Sequence, residues 1–352
     1  MVIVLGADVH KATHTFVAVD EVGRKLGEKT VRATTVGHEG ALRWARAQFG
    51  SQLRWGIEDC RHLSARLERD LLAGGQEVVR VPPKLMAQTR ASARERGKSD
   101  PIDALAVARA VLREPDLPAA VHDESSRELK LLVDRREDLI GERTRQINRL
   151  RWHLHELDPE FDVPARALRI RTQRDRVAHW LAGRRGLVAE LARDILADIT
   201  VASVKATELE KRIISVVEVR YPNLLTIPGC GPLAAAKIAG ETANVSRFRS
   251  EACFAMNAGV APLPVWSGST RGRVRMSRTG NRQLNAALHR IAVTQIRLDC
   301  LGRTYYRKRI DNGDSTVEAL RCLKRRLARI VFNALHTDQQ PSAHGISLPL
   351  AA

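Results

Sequence analysis

Two groups of residues in this chain have the types and spacing to do chemistry on a phosphodiester. The first is acidic. Asp8 ends the apolar run MVIVLGAD, Glu58 ends LRWGIE, and Asp100 and Asp103 open DPIDALAVARAVL. Carboxylates are hard oxygen donors that suit divalent cations, and a pair of such ions stabilises both the entering and the leaving oxygen of phosphoryl transfer. The spacing i, i+3 places Asp100 and Asp103 on one helix face. The second group is WSGSTRGRVRMSRTGN, residues 266–281, with four arginines and no acid. Arg271, Arg273, Arg275 and Arg278, with Arg282 just beyond, surround Ser267, Ser269, Thr270 and Ser277. Guanidinium groups grip phosphates through two parallel hydrogen bonds, and Gly268 and Gly272 let a strand approach closely. An activated hydroxyl in such a field could attack phosphorus. Spacing does not select among the four hydroxyls, each of which could also bond a phosphate or cap a turn.

Each acid has an ordinary structural reading too. Asp100 before Pro101 reads as an N-cap with a first-turn proline, Asp103 is favoured by the helix dipole, and Asp8 precedes a turn. His10 and His14 straddle that turn and are read as incidental to any metal site. Asp59 could compete with Glu58, but successive strand side chains point to opposite faces, which keeps Glu58 as the choice. The four acids stand out because three separate elements present them from one end of a presumed sheet.

The elements that must position these groups follow from periodicity. Residues 2–20 alternate apolar and polar and break at His10-Lys11-Ala12, which predicts two strands and a turn; LRWGIE and EVVRV predict two more. Helical spacing runs through HEGALRWARAQF and through LSARLERDLLAGG, which stops at Gly74-Gly75. Strands alternating with helices predict an α/β domain over 1–118, with its acids gathered as in a ribonuclease-H-like fold. Residues 119–220 read as a helical arm. In 125–157 a stripe of Leu131, Leu132, Leu139, Ile147, Leu150 and Leu154 fits a coiled coil, a hairpin or one surface helix of a bundle, and helix is predicted to continue over 158–218. Residues 221–337 form a mainly α, basic domain. There LLTIPGCGPLAAAKIAGET resembles the hairpin of a helix-hairpin-helix, with the amides of Gly229 and Gly231 facing DNA phosphates. Residues 338–352 read as a disordered tail.

Net charge is +18 over 352 residues, and it is segregated. Residues 1–120 carry 19 basic and 15 acidic side chains, 121–220 carry 20 and 18, and 221–352 carry 19 and 7. That excess predicts a polyanionic partner whose binding weakens steeply with salt. No run of about 20 apolar residues suggests a membrane span. The start lacks a basic leader and cleavage site, and five scattered cysteines without a CxxC pair argue against zinc or a disulfide framework. The expectation is a cytoplasmic protein.

The series GADVHKATHTFVAVD, GIED, KSDPIDA, TIPGCGPLAAAKIAGE and FAMNAGVAPLPVWSGSTRGRVRMSRTGNRQLNAALHRIA resembles the DEDD insertion-sequence transposases, whose relatives include Piv-like DNA invertases. The likeness extends over about residues 2–335 and ends with YYRKRIDNG and a basic helix. It implies a RuvC-like N-terminal domain in which Asp8, Glu58, Asp100 and Asp103 bind magnesium, two ions in all. It also implies a C-terminal transposase domain whose nucleophile is Ser267. Excision and insertion of a mobile DNA element through a phosphoserine, a structured noncoding guide RNA, and homodimers or homotetramers belong to the same implication. Asp59-Cys60-Arg61 depart from the small or hydroxyl residues usual after the glutamate, which bears on fine metal geometry. The competing readings are a Piv-like invertase, a metal-dependent junction-resolving nuclease in which Ser267 is dispensable, and a non-catalytic nucleic-acid-binding protein. Trp266 is expected to pack, and Tyr305 and Tyr306 to anchor a basic helix.

Overall fold

The computed structural model describes residues 2–58, 61–91, 99–114, 117, 119–164, 166–270, 274–276 and 280–340. The chain divides into two compact units, Met1–Asp123 with Asn244–Phe254, and Glu124–Ala243 with Ala255–Ala352.

The first unit is built on a sheet of β1 (Ile3–Val9), β2 (Thr13–Val19), β3 (Lys25–Arg32), β4 (Leu53–Glu58) and β5 (Glu77–Val81), in the order β3-β2-β1-β4-β5. The first three strands run antiparallel in sequence, while β4 and β5 lie parallel to β1. This is a mixed α/β sheet, as the alternation of strands and helices over 1–118 leads one to expect. Helices α1 (Thr35–Phe49), α2 (Arg61–Ala73), α3 (Pro83–Ala91) and α4 (Asp100–Arg113) cover it. Strand alternation divides the core: Leu5, Ala7, Trp55 and Ile57 pack with Leu67 and Leu71, while Val4, Val79 and Val81 pack with Val107 and Val111 of α4. Covered on both faces, β1 and β4 read as nearly continuous apolar runs. By contrast β3, KLGEKTVR, is an edge strand without a fully buried side chain.

The core beneath this sheet holds a histidine pair. His14 is 1% exposed and stacks on His38 at 5.1 Å between ring centroids, and His38 Nδ1 lies 2.6 Å from Asp70 Oδ2. Burial, then the adjacent His38 and more weakly His10, push His14 down to about 4, against the opposing bond from Thr13. The unfolded chain therefore takes up a proton below its ordinary 6.5 that the folded chain refuses until about pH 4. Stability from this group is complete above pH 6.5 and falls as pH drops through that window, by about 3 kcal/mol. His14→Phe should remove about that much of the difference between denaturant unfolding at pH 7 and at pH 4; an unchanged pH loss would refute the assignment.

In the second unit, α5 (Glu124–Leu157) and α7 (Leu187–Arg220) are 34 residues each. They pair antiparallel, since partner numbers fall as the first rise: Arg136 bonds Glu210, Gln146 bonds Asp198, and Leu139 packs near Ala202 and Ala206. Leu132, Leu139, Ile147, Leu150 and Leu154 are buried as the stripe requires, but Leu131 is 58% exposed. Neighbouring helical residues point about 100° apart, so Leu131 and Leu132 cannot both face the partner helix. The helix predicted over 158–218 is interrupted between Leu157 and Leu187, where α6 (Arg171–Ala182) stands between segments carrying Pro159, Pro164, Gly183 and Gly186.

The remaining elements are α8 (Pro222–Leu225), α9 (Pro232–Thr242), α10 (Glu251–Asn257), β6 (Pro262–Pro264), β7 (Val274–Met276), α11 (Arg282–Arg297), α12 (Leu301–Asp311) and α13 (Thr316–Asp338). Residues 341–352, most of the expected tail, lie outside the described residues. Among those described, no helix is long and apolar enough to cross a membrane. Cys230, Cys253, Cys300 and Cys322 are free thiols, and Cys60 lies outside the described residues.

Candidate active site

Asp8 and Asp100 come together where β1 and α4 approach each other, with Asp103 beside them, and Glu58 closes the neighbouring strand. Register runs from Ile3↔Leu53 to Ala7↔Ile57, so the next step sets Asp8 beside Glu58 on parallel strands, about 5 Å apart. Alternation turns both toward the sheet face that carries Val4, Gly6 and Gly56, which α4 covers. That helix lies unusually close. A Cβ on Gly6 would fall 2.0 Å from the Ala104 carbonyl oxygen and 2.4 Å from the Ala108 amide nitrogen. With Ala104 seated on Gly6, the preceding turn of α4 brings Asp103 and Asp100 to the end of β1. The N-cap is Ser99, without a side-chain capping bond, so Asp100 is already helical and does not serve as the cap. Either first-turn position accepts proline's fixed φ, which is why the sequence pattern misplaced the cap by one residue.

His10 belongs to this cluster, contrary to its reading as incidental. Its Nε2 stands 3.1 Å from Asp8 Oδ2 and 3.4 Å from Asp100 Oδ1, and ligand atoms of all three lie within 4.8 Å of one another. The available signal was its position two residues after Asp8, on the same face of an extended chain. His14 takes no part. Burial above all, with the charges of Asp103 and Asp100, holds the Asp8 carboxyl above the usual carboxylate range against the opposing pull of His10. Converging carboxylates on a partly desolvated face, with one imidazole, form a donor set that fits a hard divalent cation, whose charge would relieve their repulsion.

Ser267 is exposed and lies in the loop of a β-hairpin: β6 and β7 pair antiparallel through Pro262↔Met276, Leu263↔Arg275 and Pro264↔Val274. A 3-10 turn, Gly268–Thr270, follows it directly. Arg271, Gly272, Arg273, Ser277 and Arg278 lie outside the described residues, and Arg275 is described in its backbone alone. Arg282 is exposed at the start of α11. Trp266, expected to pack, is instead 51% exposed, in the segment between β6 and the 3-10 turn. Gly229 has φ +82 and packs against Thr294, whereas Gly231 precedes α9 with open space beside its Cα. The Arg326 guanidinium lies over Tyr305, 4.8 Å from the ring centroid.

Buried polar groups fix the base of this hairpin. Asn281 donates from its backbone to Asn257 at 2.6 Å, caps α11 by accepting from Gln283 and Leu284, and donates from Nδ2 to Glu241 at 2.5 Å. Glu241, 3% exposed, also accepts from Lys130 at 2.6 Å. Burial disfavours charge on Lys130, yet its bonds to Glu241 and Asp134 prevail and its pKa is raised. Asn285 donates to the carbonyls of Ala258 and Gly259 and accepts from Lys324. Neither Glu241 nor Asn281 stands in a sequence pattern that marks it as part of a site. A glutamate in the alanine-rich AAAKIAGET was the one available sign, because a buried carboxylate needs a partner.

Residues 5–159 match a family described as transposase, the DEDD type of IS110, and residues 221–307 match one described as the transposase IS116/IS110/IS902 family. The chain is 28% identical to the uncharacterized 44.8 kDa protein of insertion element IS116 from Streptomyces clavuligerus, over 94% of each chain. It is 25% identical to the uncharacterized 42 kDa protein of insertion element IS900 from Mycobacterium paratuberculosis, again over 94% of each. Among solved structures it is similar to T. thermophilus RuvC in complex with Holliday junction substrate, at 14% identity and a TM-score of 0.28, covering 34% of this chain and 100% of that one.

Proposed function

We propose that this chain, which belongs to the DEDD transposase family of IS110-type insertion elements, excises and inserts a mobile DNA element by metal-assisted serine recombination. The observation that carries the reading is the convergence of Asp8, Asp100 and His10 at the edge where Glu58 and Asp103 also end. Asp8, Glu58, Asp100 and Asp103 are the residues that would hold magnesium, as two ions. Bound there, the metal would polarise a phosphate and neutralise charge on the departing oxygen.

The chain's own residues do the rest. Ser267 Oγ bonds to phosphorus, the bond from phosphorus to the departing sugar oxygen breaks, and that oxygen takes up a proton as the serine loses one. The resulting phosphoserine keeps the bond energy for rejoining. Arg271, Arg273, Arg275, Arg278 and Arg282 hold the flanking phosphates. The amides of Gly229 and Gly231 contact further phosphates, with Gly231 the more accessible of the two. A structured noncoding RNA from the element pairs with donor and target DNA, and the protein acts as a homodimer or homotetramer. The resemblance to the family and the basic excess of residues 221–352 support these partners.

Covalent trapping tests the reading. DNA carrying the element's end junction is incubated with the noncoding RNA, magnesium and either the wild type or Ser267→Ala. A protein–DNA adduct with the wild type, absent with Ser267→Ala, is expected. Cleavage that persists in Ser267→Ala, with no adduct in either protein, would instead make the chain a metal-dependent nuclease.

A further inference from the structure

We infer that the end of the helical hairpin where α5 gives way to α6 is a separate nucleic-acid site, which takes a single-stranded segment by stacking one of its bases on Trp152. The inference rests on the reading above only in taking nucleic acid as the class of partner. Asn148, Arg151, Trp152 and His155 are exposed at spacing i, i+3, i+4, i+7, on one face of the last turns of α5. Trp152 is 74% exposed. It lines a cavity of about 610 Å³ together with Arg151, His155, Phe161 and Asp162, a volume in the ordinary range of ligand clefts.

The nearby aromatics show what the free indole lacks. Phe161 stacks on Trp180 at 3.9 Å, with Arg176 over the Phe161 ring and Arg184 over the Trp180 ring. Each of those π faces has a partner within the fold. Among the described residues Trp152 has no such ring or guanidinium over it, and its indole stands beside Arg151 in an open groove. Residues 145–185 hold ten arginines and five acids, of which Arg151 and Asp162 line the cavity itself. An exposed aromatic face in a positive field is the arrangement that binds single strands: cations follow the backbone and an unstacked base lies on the ring, whatever its sequence. In a duplex the bases already stack on one another and offer no free face. A second copy of this chain is disfavoured as the occupant, because two such ends would bring like charge against like.

Full-length protein is titrated with a short mixed-sequence DNA strand, the same sequence as RNA, and the matching DNA duplex. Trp152→Ala should weaken both single strands about tenfold, Trp152→Phe should keep most of the affinity, and duplex binding should not change. Arg151→Ala should lower the slope of log affinity on log salt by about 0.7 for the single strands. Unchanged single-strand affinity in Trp152→Ala overturns the inference. So does a change of sedimentation mass in that variant with affinity intact, which would assign the face to a second copy. If the wild type still binds duplex and forms the serine adduct, only this inference falls. If the wild type binds no nucleic acid of any kind, the reading it rests on falls too.

Discussion

Asp8→Asn is expected to abolish magnesium-dependent DNA cleavage and, in buffer with chelator, to make the protein more stable than wild type. The two effects share one cause. Asp8 is buried at the end of β1 beside Asp100 and Asp103, so without a cation its charge is both desolvated and repelled. Asparagine keeps an oxygen that can accept from His10 while removing that charge. With magnesium the order should reverse. A ligand that binds only the folded state stabilises it by about 2.7 kcal/mol at a hundredfold excess over its dissociation constant, and the variant has lost a ligand. Thermal melts of both proteins, with magnesium and with chelator, read this directly without DNA. If the wild-type melt ignores magnesium and manganese, or Asp8→Asn is the less stable protein in chelator, the acids are structural and the metal assignment fails.

How much of this was legible in the sequence depends on what each residue had to report. β4 and β5 are visible as short apolar runs bounded by turns, whereas β1 and β2, expected from alternation, are instead buried along nearly their whole length because both faces of the sheet are covered. β3 leaves no such trace, because an edge strand shows lysine and glutamate to solvent and carries no apolar alternation. The order of the acids along the chain suggested a common sheet end, and the approach of Asp100 to Asp8 goes with the close seating of α4 on Gly6, which is invisible without the helix above it. His10 gives little sign of its role in sequence, because a residue beside a turn has no fixed direction until the turn closes. The β6–β7 hairpin was hidden by its length. Three residues a side, two of them prolines, give no period to read. Glu241 and Asn281 meet across forty positions, and separation of that kind leaves no local pattern.

Gly6→Ala should cost more than any other single methyl group added to this sheet, and its companion Gly56→Ala makes the reason testable. Both glycines lie under α4, but their obstacles differ. At Gly6 the new Cβ meets the Ala104 carbonyl at 2.0 Å and the Ala108 amide at 2.4 Å, which are backbone atoms in the middle of a hydrogen-bonded helix. At Gly56 it meets side-chain methyls, Val111 Cγ2 at 2.5 Å and Val107 Cγ1 at 3.2 Å. A valine can turn at modest cost, whereas a backbone obstacle is cleared only by lifting α4 off the strand. Overpacking a close-packed core costs about 1–3 kcal/mol, and more where backbone must move. We therefore expect Gly56→Ala to lose about 1–2 kcal/mol and Gly6→Ala about 3 kcal/mol or more, measured by denaturant unfolding. Lifting the helix also carries Asp100 and Asp103 away from Asp8. A displacement of about 1 Å at a catalytic group can lower turnover by roughly a hundredfold, so magnesium should stabilise Gly6→Ala less than Gly56→Ala. Equal losses in the two variants, with equal magnesium responses, would mean that α4 can be raised without disturbing the acids. The close seating of helix on glycine would then be a packing feature of the core and not the device that assembles the site.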